Sequence, residues 1–312
     1  MDLNSFETVQ RWFRTVRMGR TGSEETIRVY SHFLSRFCDF TKKDPDKLIA
    51  ERKQDIKSED ETVKRRHEEL LMTFIEDLEK TRKLSRKSIV LAHGAIRSFF
   101  KANYLPLMSK TPESWVERIS KVPTREELRK MCEVSDTRDK AIILTLAQSG
   151  MSLEDYLALT FKTSSPQYGS IWKQLKEGRN PIHLHIIREK RKVWYDTFWA
   201  RNSINALNTY VKEYELGLSD PLFDLSDRSI ERIIKNAGIR AKFEAPVYPH
   251  SLRKFFNTYL KLAGVNETVV EYMMGHKLGG VRGAYFVPPV EELEKIYIKA
   301  EPYISITTEV TI

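Results

Sequence analysis

The chain has 312 residues, enough for two domains that each bury a core, and its excess of 52 Lys and Arg over 43 Asp and Glu gives a formal charge of +9. That balance points weakly to a polyanionic partner. No apolar run approaches the ~18 residues needed to span a bilayer, Asp2 and Glu7 break any signal-peptide pattern, and Cys38 and Cys132 have neither metal spacing nor a disulfide framework. The expectation is a cytoplasmic protein with buried free thiols and no membrane partner.

The first third reads as helical. Phe6, Val9, Trp12, Phe13 and Val16 recur at spacings of three and four over residues 5–17. Thr21 and Glu24 suit a capping box for a second helix with Ile27, Tyr30, Leu34 and Phe37 on one face and Arg28 and Arg36 directed elsewhere. Residues 41–69 mix both charge signs densely, as exposed helices and turns do. Leu70, Leu71, Phe74, Ile75 and Leu78 mark a third helix. The basic turn 80–88, carrying Arg82, Lys83, Arg86 and Lys87, leads into a helix with Ile89, Leu91, Ile96, Phe99 and Phe100 at its apolar positions. Those four cations are candidate phosphate contacts.

Residues 108–123, with Pro112 and Pro123, read as a linker between a domain at 1–107 and another at 124–312. Thr124 to Glu127 can cap a helix, Arg138 to Ala147 form a buried one, and 160–180 read as irregular around Pro166, Gly169 and Gly178. Residues 181–188 and 192–198 alternate like paired strands about a turn at 189–192, with Ile182, Leu184 and Ile186 on one face and Val193, Tyr195 and Thr197 alternating on the second strand. The remainder is helical at 202–214, 228–237, 251–262, 267–274 and 281–286. The fold class is therefore mainly α with a small β-sheet. His183 and His185 lie two apart on a strand with no evident acidic partner and read as structural.

One constellation carries chemistry. His250, Arg253, His276 and Tyr285 fall in this order within 36 residues, and Gly275 before His276 marks a helix end. A helix presents His250 and Arg253, at i and i+3, on one face. A phenol, with an unperturbed pKa of about 10, attacks poorly at neutral pH. It becomes a nucleophile when cationic and hydrogen-bonding groups crowd a phosphodiester and a neighbour takes its proton. An arginine fork matches phosphate, and histidines donate or shuttle protons. The set reads as a phosphoryl-transfer site with Tyr285 as the attacker.

The order and spacing resemble the tyrosine recombinase family of phage integrases and Xer-type recombinases. Pro249 to Leu260 looks like the family's second box, Met274-Gly275-His276 its third-box histidine, and Tyr285 its nucleophile. The stretches Thr26 to Tyr30 and Ser88 to Phe100 are similar to its helical core-binding domain. The resemblance implies such a domain, with Arg28 and the basic turn on DNA, joined to a catalytic domain, the two forming a C-shaped clamp on duplex DNA. It also implies a 3′-phosphotyrosyl intermediate, no metal and no cofactor. Lys190 matches the hairpin lysine that protonates the leaving 5′-hydroxyl, with Lys192 second. The segment Val290 to Tyr303 would dock on a neighbouring protomer in a tetramer on DNA, or pack on its own domain.

The family's first box, Thr-Gly-Leu-Arg, is here Ser149-Gly150-Met151-Ser152, so its arginine is replaced by Ser152. Asp155 stands where the family has an acid that orients a histidine. Three outcomes are open: a slow or rewired enzyme, a DNA-binding relative without catalysis (segregation, regulatory or accessory), or a substitute cation, with Arg138, Lys162 and Arg201 as candidates. A relaxing or end-resolving enzyme with related chemistry is a further possibility.

Overall fold

The computed structural model describes residues 2–19, 24–113, 115, 121–188, 192–279 and 286–306. Contacts divide the chain into two compact units, Met1–Ile119 and Ser120–Ile312. The chain is mainly α-helical, with two small two-stranded sheets among the described residues.

The first unit is a helical bundle: α1 (Glu7–Met18), α2 (Glu24–Thr41), α3 (Pro45–Asp55), α4 (Glu61–Lys64), α5 (Arg66–Glu76, continued by a π turn at Asp77–Thr81) and α6 (Arg86–Ala102). Its core joins Trp12, Leu34, Phe37, Phe74, Ile96, Phe99 and Phe100. The Trp12 indole donates to Ser98 Oγ at 3.0 Å, so α1 is tied to α6 by a polar bond inside an apolar contact. The charged run 41–69 forms α3, α4 and the first turn of α5. Asp44 caps α3 by accepting from Lys47 N–H at 2.8 Å, and Pro45 takes the first helical position, where no amide proton is needed. Leu91 departs from expectation. The inward stripe of α6 is Ile89, Ala92, His93, Ile96, Phe99 and Phe100, and Leu91 falls off it at 39% exposure. The proposed cap residue Thr21 lies outside the described residues.

The second unit begins with a capping box. Thr124 Oγ1 accepts from Glu127 N–H at 3.1 Å, and the Glu127 carboxylate accepts from Thr124 N–H at 2.9 Å. There follow α7 (Arg125–Glu133), α8 (Thr137–Ser149), α9 (Leu153–Leu157), the short strands β1 (Ser164–Ser165) and β2 (Gly169–Ser170), and α10 (Ile171–Lys176). The stretch 160–180 is therefore structured rather than irregular. A six-residue helix is too short to show periodicity in sequence, and α10 is held by Gln174, which bonds His183 N–H at 2.8 Å and His183 C=O at 3.0 Å.

Strands β3 (Ile182–Arg188) and β4 (Val193–Trp199) pair antiparallel, with Leu184 opposite Thr197, Ile186 opposite Tyr195 and Arg188 opposite Val193. Helices α11 (Arg201–Glu213), α12 (Asp227–Arg240), α13 (Pro249–Leu262), α14 (Glu267–Met273) and α15 (Val290–Ile304) complete the unit. Of the helix expected at 281–286, residues 281–285 lie outside the described residues. Helix α15 packs on its own unit, burying Leu293, Tyr297, Ala300 and Ile304.

Helix α8 is the central element, packed by α11, α13 and β4. A helix leaves its last carbonyls without partners, and here other elements supply them. Gln148 C=O accepts from the Tyr297 hydroxyl at 2.8 Å, Ser149 C=O from Thr197 Oγ1 at 2.8 Å, and Gly150 C=O from Arg253 Nη1 at 2.6 Å. Both cysteines are buried, and burial pushes their thiols up to about 12, so they are inert packing groups.

Candidate active site

Pro249 opens α13 and sets the entry of the chain, so His250 and Arg253 stand in its first turn. They meet different surroundings. His250 is exposed, whereas Arg253 is 7% exposed and reaches inward. Its Nη1 donates to Gly150 C=O at 2.6 Å and its Nη2 to Met274 C=O at 2.8 Å. Both acceptors lie at C-terminal ends, Gly150 of α8 and Met274 of α14. The buried charge is thus held by the negative ends of two helix dipoles. Burial, with the neighbouring charge of Arg188, draws its pKa down to about 10, so it stays protonated at neutral pH.

Helix α14 ends in a Schellman motif: Gly275 N–H bonds Tyr272 C=O at 2.8 Å and His276 N–H bonds Glu271 C=O at 2.9 Å. Gly275 has φ +65°, and a Cβ there would lie 2.7 Å from the Tyr195 ring, so glycine is required twice over. The motif fixes His276. Its Nε2 lies 2.6 Å from Arg253 Nη2, and its Nδ1 bonds the Glu271 carboxylate. Arginine only donates, so Nε2 is the acceptor and the ring proton is assigned to Nδ1, facing Glu271. Burial and the charges of Arg253 and Arg188 lower the His276 pKa against the pull of Glu271, leaving a neutral imidazole.

A second guanidinium stands beside the first. Arg188, at the end of β3, donates from Nη1 to Gly275 C=O at 2.7 Å, the carbonyl next to the one held by Arg253. Sequence reasoning passed over it, because nothing along the chain links residue 188 to residue 275. Ser152, in the place of the family's first arginine, caps α9 by accepting from Asp155 N–H at 3.3 Å. Asp155 accepts from the buried Tyr195 hydroxyl at 3.0 Å, so the carboxylate on His276 is Glu271 rather than Asp155. The three substitute cations considered lie elsewhere. Arg138 pairs with Asp139 at 3.2 Å, Arg201 begins α11 beside Glu301, and Lys162 is exposed; among the described residues none bonds the Gly150, Met274 or Gly275 carbonyls on which the two guanidiniums rest.

The sequence pattern of the phage integrase family matches residues 121–285, more than half of the chain, and the pattern of that family's N-terminal SAM-like domain matches 9–104. The chain belongs to the phage integrase family. It is 22% identical over 311 residues to tyrosine recombinase XerC of Leptospira interrogans, covering 95% of this chain and 94% of that one. It is 25% identical to tyrosine recombinase XerA of Saccharolobus solfataricus, covering 88% and 86%. Two solved structures share its fold. A lambda integrase tetramer bound to a Holliday junction has TM-score 0.61 at 13% identity, covering 90% of this chain and 76% of that one. A XerH site-specific recombinase in a post-cleavage complex with palindromic difH has TM-score 0.57 at 16% identity, covering 95% and 80%.

In this integrase-family chain the remaining site candidates fall unevenly. Tyr285 and Lys190 lie outside the described residues. Lys192 is exposed just before β4, its N–H bonding Arg188 C=O at 2.7 Å. In the first unit Arg82, Lys83 and Lys87 are exposed. Arg28 forms a forked pair with Glu25, at 2.7 and 2.5 Å. Arg86 is committed structurally: it donates to Glu113 C=O at 2.7 Å, pairs with Glu79 at 3.0 Å and lies over the Trp115 ring.

The histidine pair does have an acidic partner, contrary to the reading from sequence. His183 Nε2 and His185 Nδ1 both bond Asp196 Oδ1 at 2.8 Å, and the Tyr272 hydroxyl donates to Oδ2 at 2.7 Å. Burial opposes the charge of Asp196, but these three donors hold its pKa down to about 2. No group of metal-binding side chains occurs among the described residues, and the cluster joins the hairpin to α14. Ser165 Oγ lies 2.8 Å from His183 Nδ1, which gives Ser, His and Asp the connectivity of an acyl-transfer triad. All three are buried, at 3%, 1% and 4% exposure, so no substrate reaches them.

Proposed function

We propose that this chain is a site-specific DNA recombinase that cleaves and rejoins duplex DNA through Tyr285. The supporting observation is the joint seat of Arg253 and His276: a protonated guanidinium fixed by two helix ends, in contact with a neutral imidazole whose lone pair lies at Nε2. Tyr285 attacks the scissile phosphorus, the bond to the 5′-oxygen breaks, and a 3′-phosphotyrosyl bond forms. As the phosphate draws the Arg253 Nη2 donor away from His276 Nε2, that nitrogen takes the phenolic proton and, as imidazolium, then donates to a non-bridging oxygen. Arg253 shares the charge that develops there, His250 adds a donor from the exposed turn, and Lys190, or Lys192, protonates the leaving oxygen. A partner strand's 5′-hydroxyl reverses the step, so the bond energy is conserved and neither metal nor cofactor enters.

Residues 1–107 act as the DNA-clamping domain, through Arg82, Lys83 and Lys87 and with Arg28, ahead of a linker at 108–123 and a catalytic domain at 124–312. The working assembly is a homotetramer on two duplexes, supported by the fold shared with a tetrameric lambda integrase. The test is a nicked suicide duplex from the chain's own locus, resolved by denaturing electrophoresis. A covalent adduct lost in Tyr285→Phe supports the reading. Tight binding without an adduct, in wild type and in Ser152→Arg alike, replaces it with a non-catalytic DNA-binding protein.

A further inference from the structure

We infer that Arg188 supplies the second guanidinium of the phosphate site, in the role left open by Ser152; this rests on the phosphoryl-transfer reading above. The first-box position cannot serve. Its Ser152 oxygen accepts from Asp155 N–H as the cap of α9, and a hydroxyl carries no charge. Arg188 approaches from another element, at the last position of β3, and is half-buried.

The geometry places its guanidinium on the Gly275 carbonyl at 2.7 Å, while Arg253 holds the Met274 carbonyl at 2.8 Å. Two cations therefore flank consecutive carbonyls just ahead of His276. Each is close enough to bias the others: the charge of Arg188 disfavours protonation of Arg253 and of His276 alike. Asp155 and Glu271 offset part of this repulsion, but neither bonds either guanidinium among the described residues, and an anion seated between the two cations relieves the rest. Nη1 is the only side-chain nitrogen of Arg188 bonded among the described residues, so Nη2 and Nε remain as donors for a phosphate oxygen. The seat is also rigid. Gly275 is pressed against the Tyr195 ring, and Tyr195 is anchored on Asp155, the residue that Ser152 caps. A charge at 188 thus enters the same framework that the first-box arginine would have entered at 152.

The experiment compares Arg188→Gln, Arg188→Lys and Arg188→Gln/Ser152→Arg in full-length protein on the nicked duplex, under single turnover. Glutamine can keep the bond to Gly275 but has no charge; lysine keeps a charge without the fork. Arg188→Gln is expected to slow adduct formation by ~10²–10³, the usual effect of one lost preorganised donor, with DNA affinity within about threefold. Arg188→Lys should recover part of that loss, and the double variant most of it. Adduct formation at the wild-type rate in Arg188→Gln, or a loss that Ser152→Arg leaves untouched, overturns the inference. If wild type and Ser152→Arg both give no adduct, the tyrosine reading is the one that fails. Arg188 is then judged by binding of inorganic phosphate, followed through the His276 imidazole resonances. Affinity lowered about tenfold in Arg188→Gln, one charge-assisted contact's worth, upholds its place in the anion site, and unchanged affinity removes it.

Discussion

Gly275→Ala tests whether the end of α14 sets the geometry of the site. The added methyl would sit 2.7 Å from two Tyr195 ring carbons, 0.7 Å inside ordinary contact at 3.4 Å, on a residue whose φ of +65° already disfavours any side chain. Tyr195 cannot swing away, because its ring is fully buried and its hydroxyl bonds Asp155. The backbone at 274–276 must move instead. The left-handed conformation costs about 1–2 kcal/mol and overpacking about 1–3 kcal/mol, so a loss of about 2–5 kcal/mol is expected in urea unfolding. Because both guanidiniums rest on the displaced carbonyls, a shift near 1 Å should also slow adduct formation by ~10². The double variant Gly275→Ala/Tyr195→Leu removes the ring that is struck and should be less destabilised than the two single changes added together. Loss under about 0.5 kcal/mol in Gly275→Ala, the range of an indifferent surface change, would refute the reasoning.

Three further outcomes follow from the same contacts. Glu271→Gln removes the charge that raises the His276 pKa, so the acid limb of the cleavage pH profile should move to lower pH, and the rate at neutral pH should fall ~10-fold as a neutral amide oxygen replaces the charged acceptor that orients the ring. Asp196→Asn leaves at least one of its three donors unsatisfied at the junction of hairpin and α14 and should cost about 1–3 kcal/mol in denaturant unfolding. His93 is fully buried, and burial together with Arg97 lowers its pKa from 6.5 to about 4. The unfolded chain therefore takes up the proton first: this contribution is complete above pH 6.5 and is lost as pH falls toward 4, up to about 3 kcal/mol. A plot of urea midpoint against pH should flatten over that interval in His93→Gln.

What could be read along the chain was whatever local periodicity encodes. His250 and Arg253 share a helix turn by spacing alone, and the glycine before His276 announced the helix end that holds it. The contacts that complete the site are non-local. Arg188 meets residue 275 through the Gly275 carbonyl, a backbone atom that no sequence pattern marks. Glu271 was equally silent, since a glutamate in the last turn of a surface helix reads as solvated until the chain turns His276 back onto it. Asp196 was missed as the histidines' partner because hairpin register, not sequence distance, sets it opposite His185. Asp155, expected to orient a histidine, accepts from the Tyr195 hydroxyl, and the carboxylate on His276 is Glu271.

The three carbonyls that finish α8 go to three different elements: α15 through Tyr297, β4 through Thr197 and α13 through Arg253. One helix terminus is thus a shared keystone, and the ties that converge on it are not independent. Lifting α15 would leave the Gln148 oxygen without its donor two residues from the arginine's own anchor, loosening the terminus that Arg253 leans on. An event at α15 can in this way reach Arg253 without touching it.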